Sequence, residues 1–239
     1  MSLSPAKSGS WPLRSTLLSL TLLSAQELTP ISTHRPTQGI NSNLVEPAAI
    51  QIESGLEPRV TPTFEPELVL QPRFGLTQSL EVFATIRFLA PAKSLSSLSF
   101  SPKVKLFQRK RWQLALAGSG HLTTPRGEIS ALADFFISPK GVLTLNASFS
   151  TGFRRAPGYF STIFYTQSIG TRFFAWVEAF AWWPLEYGAG SGLQYLFGKK
   201  QISAMDIAFN WQTGGTLQIL IGLSRKGYLF RAPSNPKGS

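Results

Sequence analysis

Residues 80–88 read LEVFATIRF, and their side chains fall into two sets that alternate along the chain. One set is apolar throughout and the other mixes a phenylalanine with polar side chains: Leu80, Val82, Ala84, Ile86 and Phe88 against Glu81, Phe83, Thr85 and Arg87. Successive side chains of a β-strand point to opposite faces. A period of two therefore predicts a strand with one apolar face and one largely polar face.

The same period of two recurs from residue 49 to residue 225, and no helical period interrupts it. Twelve segments of nine to eleven residues carry it, at residues 49–57, 66–74, 80–88, 97–107, 112–122, 129–137, 142–151, 159–168, 173–182, 188–197, 202–211 and 216–225. Tilted strands of about nine to eleven residues span the apolar layer of a membrane. At that depth every backbone polar group needs a partner within the protein, so the sheet must close on itself. We therefore predict an all-β fold, a transmembrane antiparallel up-and-down β-barrel of about 12 strands.

The links between these segments alternate in length. Links after the even-numbered strands are short turns, such as residues 108–111 and 198–201. Most links after the odd-numbered strands are longer or rich in Pro and Gly, such as residues 58–65 and 89–96. Short periplasmic turns alternating with longer outer loops are typical of single-chain barrels of the bacterial outer membrane. The pattern predicts that location, with both ends of the barrel on the periplasmic side.

The composition suits a wall that faces lipid. Charged residues make up 15% of the 239 residues and aromatic residues 12%, whereas charged residues are about 25% of typical soluble domains. Aromatic residues gather near the predicted strand ends, as in interfacial girdles: Phe107, Trp112, Phe173, Phe174, Trp182, Trp183, Phe197 and Trp211. A secreted soluble barrel or sandwich is the alternative outside the membrane, and release in the soluble fraction would distinguish it.

The net charge of +11 does not indicate nucleic-acid binding, because the basic residues stand in short clusters between apolar segments. Two clusters, at residues 109–111 and 199–200, lie in predicted turns. There they are either solvated or in contact with anionic lipid headgroups or periplasmic partners. The chain has no cysteine and two widely separated histidines, which argues against a metal site. No motif for a nucleotide or another cofactor is present.

The N-terminal 25 residues have the pattern of a secretory signal peptide. Lys7 and Arg14 supply the positive region, residues 15–23 the short apolar region, and Ala25 the predicted cleavage site. The segment that follows is rich in Pro, Thr, Ser and Asn, and it is expected to be extended. The predicted organisation is a signal peptide, a periplasmic N-terminal segment, an outer-membrane barrel and a C-terminal tail, at residues 1–25, 26–48, 49–230 and 231–239.

Local motifs follow one another in the order of a known family. These motifs are IQIESG at residues 50–55, RFGLT at 73–77, LALAG at 114–118 and GLQYL at 192–196. In this order they resemble the outer-membrane barrels of the MetA-pathway of phenol degradation family, often described as transporters. The resemblance covers about residues 33–230. It implies a barrel, inserted by the barrel-assembly machinery, that takes up small molecules, including aromatic or apolar ones. His34, in place of an acidic residue, and the tail after Phe230 depart from the family pattern.

Seven charged residues stand within predicted strands and are the candidate lumen-lining residues: Glu53, Glu81, Arg87, Lys103, Lys105, Glu178 and Asp206. A cation that faces lipid at mid-depth costs about 2–4 kcal/mol, so these side chains are expected to face the lumen. They form either a salt-bridge network that fills the lumen or a polar constriction that orients a solute. Lys103 and Lys105 share one face, and Arg87 lies on the preceding strand, so such a constriction is expected to be locally positive.

One group of residues has the chemistry of a hydrolase. Ser119 and His121 share a strand face, and Asn146 is a candidate to orient the imidazole ring of a nucleophilic pair. The protein would then be a membrane-embedded hydrolase; a further alternative is a structural barrel with a plugged lumen. We favour a non-enzymatic outer-membrane channel or transporter-like barrel for passive uptake of small molecules. Its expected partners are membrane lipids, a small-molecule solute and the barrel-assembly machinery, without nucleic acid, cofactor or metal.

Overall fold

A computed structural model describes residues 40–60, 64–89, 94–152, 155–183 and 186–228 of the chain. The predicted signal peptide, the first part of the predicted periplasmic segment (residues 26–39) and the predicted C-terminal tail lie outside these ranges. No helix within the described ranges is long and apolar enough to cross a membrane.

Within the described ranges, twelve antiparallel strands form one closed sheet. The strands are Ala49–Val60 (β1), Phe64–Gly75 (β2), Leu80–Leu89 (β3), Ser94–Gln108 (β4), Trp112–His121 (β5), Arg126–Ser138 (β6), Gly141–Gly152 (β7), Arg155–Ile169 (β8), Phe173–Trp183 (β9), Glu186–Phe197 (β10), Ser203–Gln212 (β11) and Thr216–Tyr228 (β12). Each strand pairs with its neighbours in the chain, and β12 also pairs with β1. Ile52 on β1 illustrates the closure, since its register partners are Pro72 on β2 and Arg225 on β12.

The number, order and antiparallel pairing of the strands confirm the fold predicted from the sequence. Each strand bound lies within four residues of its predicted position. The predicted contrast between short and long links is wrong, because the strands extend into the segments assigned to the longer links. β6 begins at Arg126 and β8 at Arg155, so successive strands are separated by two to five residues at both ends of the barrel. Two strands that leave the apolar layer together continue to satisfy each other's backbone groups, whatever the composition there.

The two faces of the wall differ as a period of two requires. On β7, Thr144, Asn146 and Ser148 are buried inside, whereas Leu145 and Phe149 are each 40% exposed on the outside. Exposed apolar side chains recur around the barrel, at Ile52, Leu68, Phe100, Leu116, Ile129, Leu145, Ile163, Val177, Leu193, Ile207 and Ile221. A continuous apolar surface of this kind marks a membrane or protein interface.

The interior has two sectors with different chemistry. The charged sector, formed by β1 to β6, carries ionised and amide side chains. The aromatic sector, formed by β8 to β12, carries the buried rings of Phe164, Trp176 and Phe180. A Cβ at Gly192 would lie 2.2 Å from the Trp176 ring, and one at Gly188 would lie 2.5 Å from the Phe180 ring. The glycines of β10 therefore make room for these rings.

Candidate functional site

A cluster of buried charges lies on the inner wall of the charged sector, near the end at which β1 begins. Glu53, Arg73, Glu81 and Lys103 come from β1 to β4 in turn, and each is 0% exposed. Glu81 is the register partner of Lys103, and Arg73 lies one diagonal step from both glutamates. Arg73 Nη1 donates to Glu53 Oε1 at 2.7 Å, and its Nε and Nη2 donate to the two Glu81 oxygens at 2.9 and 3.1 Å. Lys103 Nζ is 3.7 Å from Glu81 Oε1.

This geometry stabilises charges that are otherwise costly to bury. An ion taken out of water without a partner costs several kcal/mol. Here the guanidinium fork of Arg73 meets Glu81 with two hydrogen bonds and Glu53 with a third. Removing one partner of a buried pair costs about 3–5 kcal/mol, because the charge that is left loses its compensation. The cluster therefore ties four successive strands together at one height of the barrel.

Residues 40–48, which precede β1, enter the barrel and lie along this inner wall; we call them the plug segment. Ser42 and Val45 of the plug segment are 0% and 3% exposed. Ser42 donates to Asp134 Oδ2 from its backbone N at 3.2 Å and from Oγ at 2.6 Å. Val45 N donates to Glu81 Oε2 at 2.7 Å. The plug segment thus supplies hydrogen bonds to carboxylates of the inner wall.

Lysine and amide side chains of the wall hold the rest of the plug segment. Lys103 Nζ donates to the carbonyl oxygen of Asn43 at 2.5 Å, and Gln113 Nε2 donates to Asn43 Oδ1 at 2.8 Å. Lys226 Nζ is 3.0 Å from both carboxylate oxygens of Glu46. Arg73 Nη2 also donates to the Asn43 carbonyl oxygen, at 3.3 Å. The side chains that hold the plug segment therefore come from β2, β3, β4, β5, β6 and β12.

The plug segment passes into β1 through a sharp reversal. Ala48 has a φ of 59°, in the left-handed region, and its backbone N donates to Gly75 O at 2.9 Å. A Cβ at Gly75 would lie 2.0 Å from Glu46 O, so glycine lets the plug segment pass this close. The sequence predicted a periplasmic segment over residues 26–48. Its Ser- and Asn-rich composition carried no signal for docking inside the barrel.

Arg87 forms a second ionic group toward the opposite mouth. Arg87 Nη1 is 2.6 Å from Glu57 Oε2 and 3.2 Å from Glu67 Oε2. It lies six residues from Glu81 along β3, a distance of about 20 Å for an extended strand. The interior of the charged sector is therefore neutralised separately at two heights.

Lys105 lies apart from both ionic groups. Its Nζ donates to Gln108 Oε1 at 3.1 Å, beside the turn that follows β4. Lys103, Lys105 and Arg87 consequently do not form the locally positive constriction that the sequence suggested. Lys103 is compensated by Glu81 and by a plug carbonyl, and Arg87 by two carboxylates.

Glu178 and Asp206 lie in the aromatic sector. They are buried, at 5% and 2% exposed. Their carboxylates use space that glycines leave open, since a Cβ at Gly190 would lie 2.8 Å from Glu178 Oε1 and one at Gly222 would lie 2.2 Å from Asp206 Oδ1. The seven candidate residues thus share the interior side of their strands but are divided among separate groups.

Sequence reasoning missed Arg73 and Asp134, which are central to the site. Arg73 stands at the end of its predicted strand, next to a turn motif, and this hides its place in the wall. Arg73 is an even number of residues from Val69 and Gln71, which are both buried, so all three side chains lie on the same face of β2. This spacing is the signal that identifies Arg73 as an interior residue. Asp134 carries the same signal, because it shares the parity of buried Leu132 on β6.

The hydrolase alternative finds no completed arrangement on β5. Ser119 and His121 continue the interior parity of Ala117, and no hydrogen bond joins their side chains in the described structure. The register places His121 at the level of Gly152 on β7. Asn146 is six residues from Gly152, or about 20 Å, too far to orient the ring. Among the described residues, no group of three or more His, Cys, Asp or Glu could hold a metal ion.

A recess of about 220 Å³ opens at the mouth opposite the plug segment. Arg126 and Glu128 line it together with Phe160 and Trp182, whose ring centroids are 4.6 Å apart. Arg126 Nη2 donates to Ser150 Oγ at 2.8 Å. The recess therefore presents charged and aromatic side chains together at this mouth.

No protein-family model matches the chain, and no curated protein matches its sequence. Its structure is similar to that of the KdgM porin in complex with disordered oligogalacturonate, with a TM-score of 0.61, 11% identity, and coverage of 76% of this chain and 99% of that chain. It is also similar to an outer membrane channel from Pseudomonas putida F1, with a TM-score of 0.63, 9% identity, and coverage of 80% and 100%. The NanC porin is similar as well, with a TM-score of 0.58, 9% identity, and coverage of 74% of this chain and 98% of that chain. The chain has the fold of outer-membrane porins and channels.

Proposed function

We propose that the protein is a channel of the bacterial outer membrane through which small molecules diffuse. The observation that carries this proposal is the closed barrel, which is apolar outside and polar, charged and aromatic inside. In hydrocarbon a closed sheet leaves no backbone edge unpaired. The likeness in fold to porins and to an outer-membrane channel supports the same function. Delivery by the predicted signal peptide and insertion by the barrel-assembly machinery are part of the proposal.

The proposed solute is a small molecule with an aromatic or apolar part and a polar group. Phe164, Trp176 and Phe180 point their rings into the interior, and because these rings are 5%, 5% and 3% exposed, a flat solute can stack on them only when neighbouring interior side chains move. Trp176 Nε1 and Thr162 Oγ1 are buried without a hydrogen-bond partner among the described residues. After the same movement, these groups can form a hydrogen bond with a polar group of the solute. The resemblance to the MetA-pathway family leads to the same class of solute, and membership of that family belongs to the proposal.

The plug segment favours a second candidate, a structural barrel whose lumen stays closed. Its contacts to six strands place it in the interior at the end where β1 begins. On this candidate the plug segment closes that end, and in a channel it would have to be displaced before solute passes. A structural barrel requires no such displacement, so the two candidates differ in what happens when the plug contacts are weakened.

Conductance in planar bilayers separates the two candidates. The wild-type protein is compared with a variant that lacks residues 40–47 and with Asp134→Ala, which removes the carboxylate that holds Ser42. Glu57→Gln is the matched control, because it alters an interior carboxylate at the opposite mouth. We expect stepwise conductance from the two plug variants and only rare openings from the wild type and the control.

Each outcome bears on one candidate. A folded, heat-modifiable barrel that conducts in none of the four forms would contradict the channel and leave the structural barrel. Equal conductance in all four forms would support the channel but contradict closure by the plug segment. Swelling of liposomes that is faster in sodium benzenesulfonate than in a sugar of similar mass, after subtraction of the rate in protein-free liposomes, would support the proposed solute class. Fatty-acid release from phospholipid by the wild type but not by Ser119→Ala would contradict a non-enzymatic function.

A further inference from the structure

The turns at one end of the barrel carry positive charge only. Exposed cations stand in or beside the turns at the end where β1 begins and β12 ends; we call them the basic rim: Arg109, Lys110, Arg111, Lys140, Arg172, Lys200 and Arg225. No Asp or Glu stands in any of the five turns at this end. The opposite end mixes both signs, with Arg126 and Glu128 on β6 and Glu186 on β10.

An aromatic layer adjoins the basic rim on the outer wall. Trp112 directly follows Arg111, and its ring stacks on that of Phe107 with centroids 4.4 Å apart. Phe173, which is 50% exposed, directly follows Arg172. From mid-barrel outward the order is therefore apolar wall, aromatic ring, cation. This is the order of the layers that a membrane leaflet presents: hydrocarbon, interface and phosphate.

One cation of the rim is fixed at this level by an aromatic ring. The Arg109 guanidinium carbon lies 5.1 Å from the centroid of the Phe107 ring, within the range of a cation–π contact. A guanidinium stacked on a ring keeps its N–H donors at the edge of the plane. Those donors are available to phosphate oxygens, which they can bind in pairs.

We propose that the basic rim binds the phosphate groups of anionic phospholipids in the leaflet that surrounds this end of the barrel. Solvation of the turns would be served equally by charges of both signs, whereas the turns at this end carry cations and no acidic residue. The cations also extend from the β4–β5 turn around the barrel to β12. An encircling headgroup layer fits that distribution better than one compact partner. The inference rests on the proposed membrane location.

The test measures lipid preference at each end of the refolded protein in bilayers. One form keeps Trp112 as its only tryptophan, and a second keeps Trp211, which lies near the opposite end on β11; the other tryptophans are changed to phenylalanine. Brominated lipids quench indole fluorescence on contact. Comparing brominated phosphatidylglycerol with brominated phosphatidylcholine gives the relative affinity of the anionic lipid. We expect a preference for phosphatidylglycerol at Trp112 and none at Trp211.

Substitutions and salt identify the cations responsible. Arg111→Gln is expected to lower the preference at Trp112 about fivefold, while Arg111→Lys retains most of it. Arg126→Gln, which removes one cation at the opposite mouth, is the matched control and is expected to leave it unchanged. Because the Debye length falls to about 3 Å at 1 M salt, the preference is also expected to vanish there. The salt measurement needs no substitution in the rim.

The possible failures are distinguishable. Quenching by neither lipid would overturn the proposed membrane location and the rim together. Equal quenching by both lipids at Trp112 in low salt would overturn the rim proposal and leave the membrane location standing. A preference for phosphatidylglycerol that neither Arg111→Gln nor salt reduces would also overturn the rim proposal and leave the membrane location standing. Sedimentation with peptidoglycan through these cations, without a lipid preference, would replace the lipid by a cell-wall partner.

Discussion

Asp134→Ala is expected to loosen the plug segment without unfolding the barrel. The Asp134 carboxylate accepts two hydrogen bonds from Ser42, at 3.2 and 2.6 Å. A hydrogen bond to a charged group contributes about 1.5–3 kcal/mol, so the pair contributes at most about 3–6 kcal/mol. Water that enters the polar lumen replaces part of this. We expect a loss of about 2–3 kcal/mol, or roughly a 30- to 150-fold rise in the undocked fraction.

The undocked fraction is measurable by thiol labelling. The chain has no cysteine, so Val45→Cys introduces one thiol where the docked side chain is 3% exposed. When docking is fast relative to labelling, the labelling rate follows the undocked fraction. On this background Asp134→Ala is expected to accelerate labelling roughly 30- to 150-fold. Ser42→Ala keeps the backbone bond and is expected to accelerate it about tenfold.

Thr144→Val is the matched control for this prediction. Thr144 Oγ1 donates to Asp134 Oδ1 at 2.7 Å, and its side chain makes no hydrogen bond to the plug segment within the described ranges. Its removal is expected to change the labelling rate by less than about threefold. The reasoning is refuted if Thr144→Val accelerates labelling as much as Asp134→Ala. It is also refuted if Asp134→Ala and Ser42→Ala both leave the rate within a factor of about three.

Three further substitutions and one control test the packing of the interior. Gly75→Ala places a Cβ 2.0 Å from Glu46 O, so the same thiol assay should show roughly tenfold faster labelling or more; an unchanged rate would contradict the close passage of the plug segment. Gly192→Ala places a Cβ 2.2 Å from an indole ring and should cost about 1–3 kcal/mol in urea unfolding. Gly118→Ala is the control: its Cβ meets nothing closer than 3.9 Å, so the free energy of unfolding should hardly change. Equal losses from Gly192→Ala and Gly118→Ala would contradict the close packing of Gly192 against the ring. Arg87→Leu leaves two carboxylates without their cation. Because the Arg87 side chain is 33% exposed, the loss in the free energy of unfolding should be about 1–3 kcal/mol, below that of a fully buried pair. No loss in urea unfolding would show that solvent already screens this ion pair.

The strands were predictable because their signal is local. The alternation over residues 80–88 gives β3 as Leu80–Leu89 almost without error. The links were not predictable in the same way. Pro125 and Gly127 usually mark the end of a strand, yet β6 begins between them at Arg126. What extends the strand there is the neighbouring strand, and a pattern read along one segment does not contain that neighbour.

The site was predictable only in part, for a related reason. Burying Glu53, Glu81 and Lys103 in a barrel wall requires them to face inward, and parity alone identifies that side. Which charges meet depends on register between strands, so the pairing of Arg87 with two carboxylates could not be predicted from its own strand. The plug segment was missed altogether. Ser42 and Asn43 are residue types typical of solvated turns and links, so their identity gave no sign of docking.

The plug segment is covalently joined to the wall that it covers, through Ala48 and the first residue of β1. An undocked segment therefore cannot diffuse away, and its local concentration is set by the length of its own tether, in the millimolar range or above. Reclosure is consequently an intramolecular step whose rate does not depend on how much protein the membrane holds. A separate peptide with the sequence of residues 40–48 would need about millimolar concentration to close a barrel from which the segment has been removed.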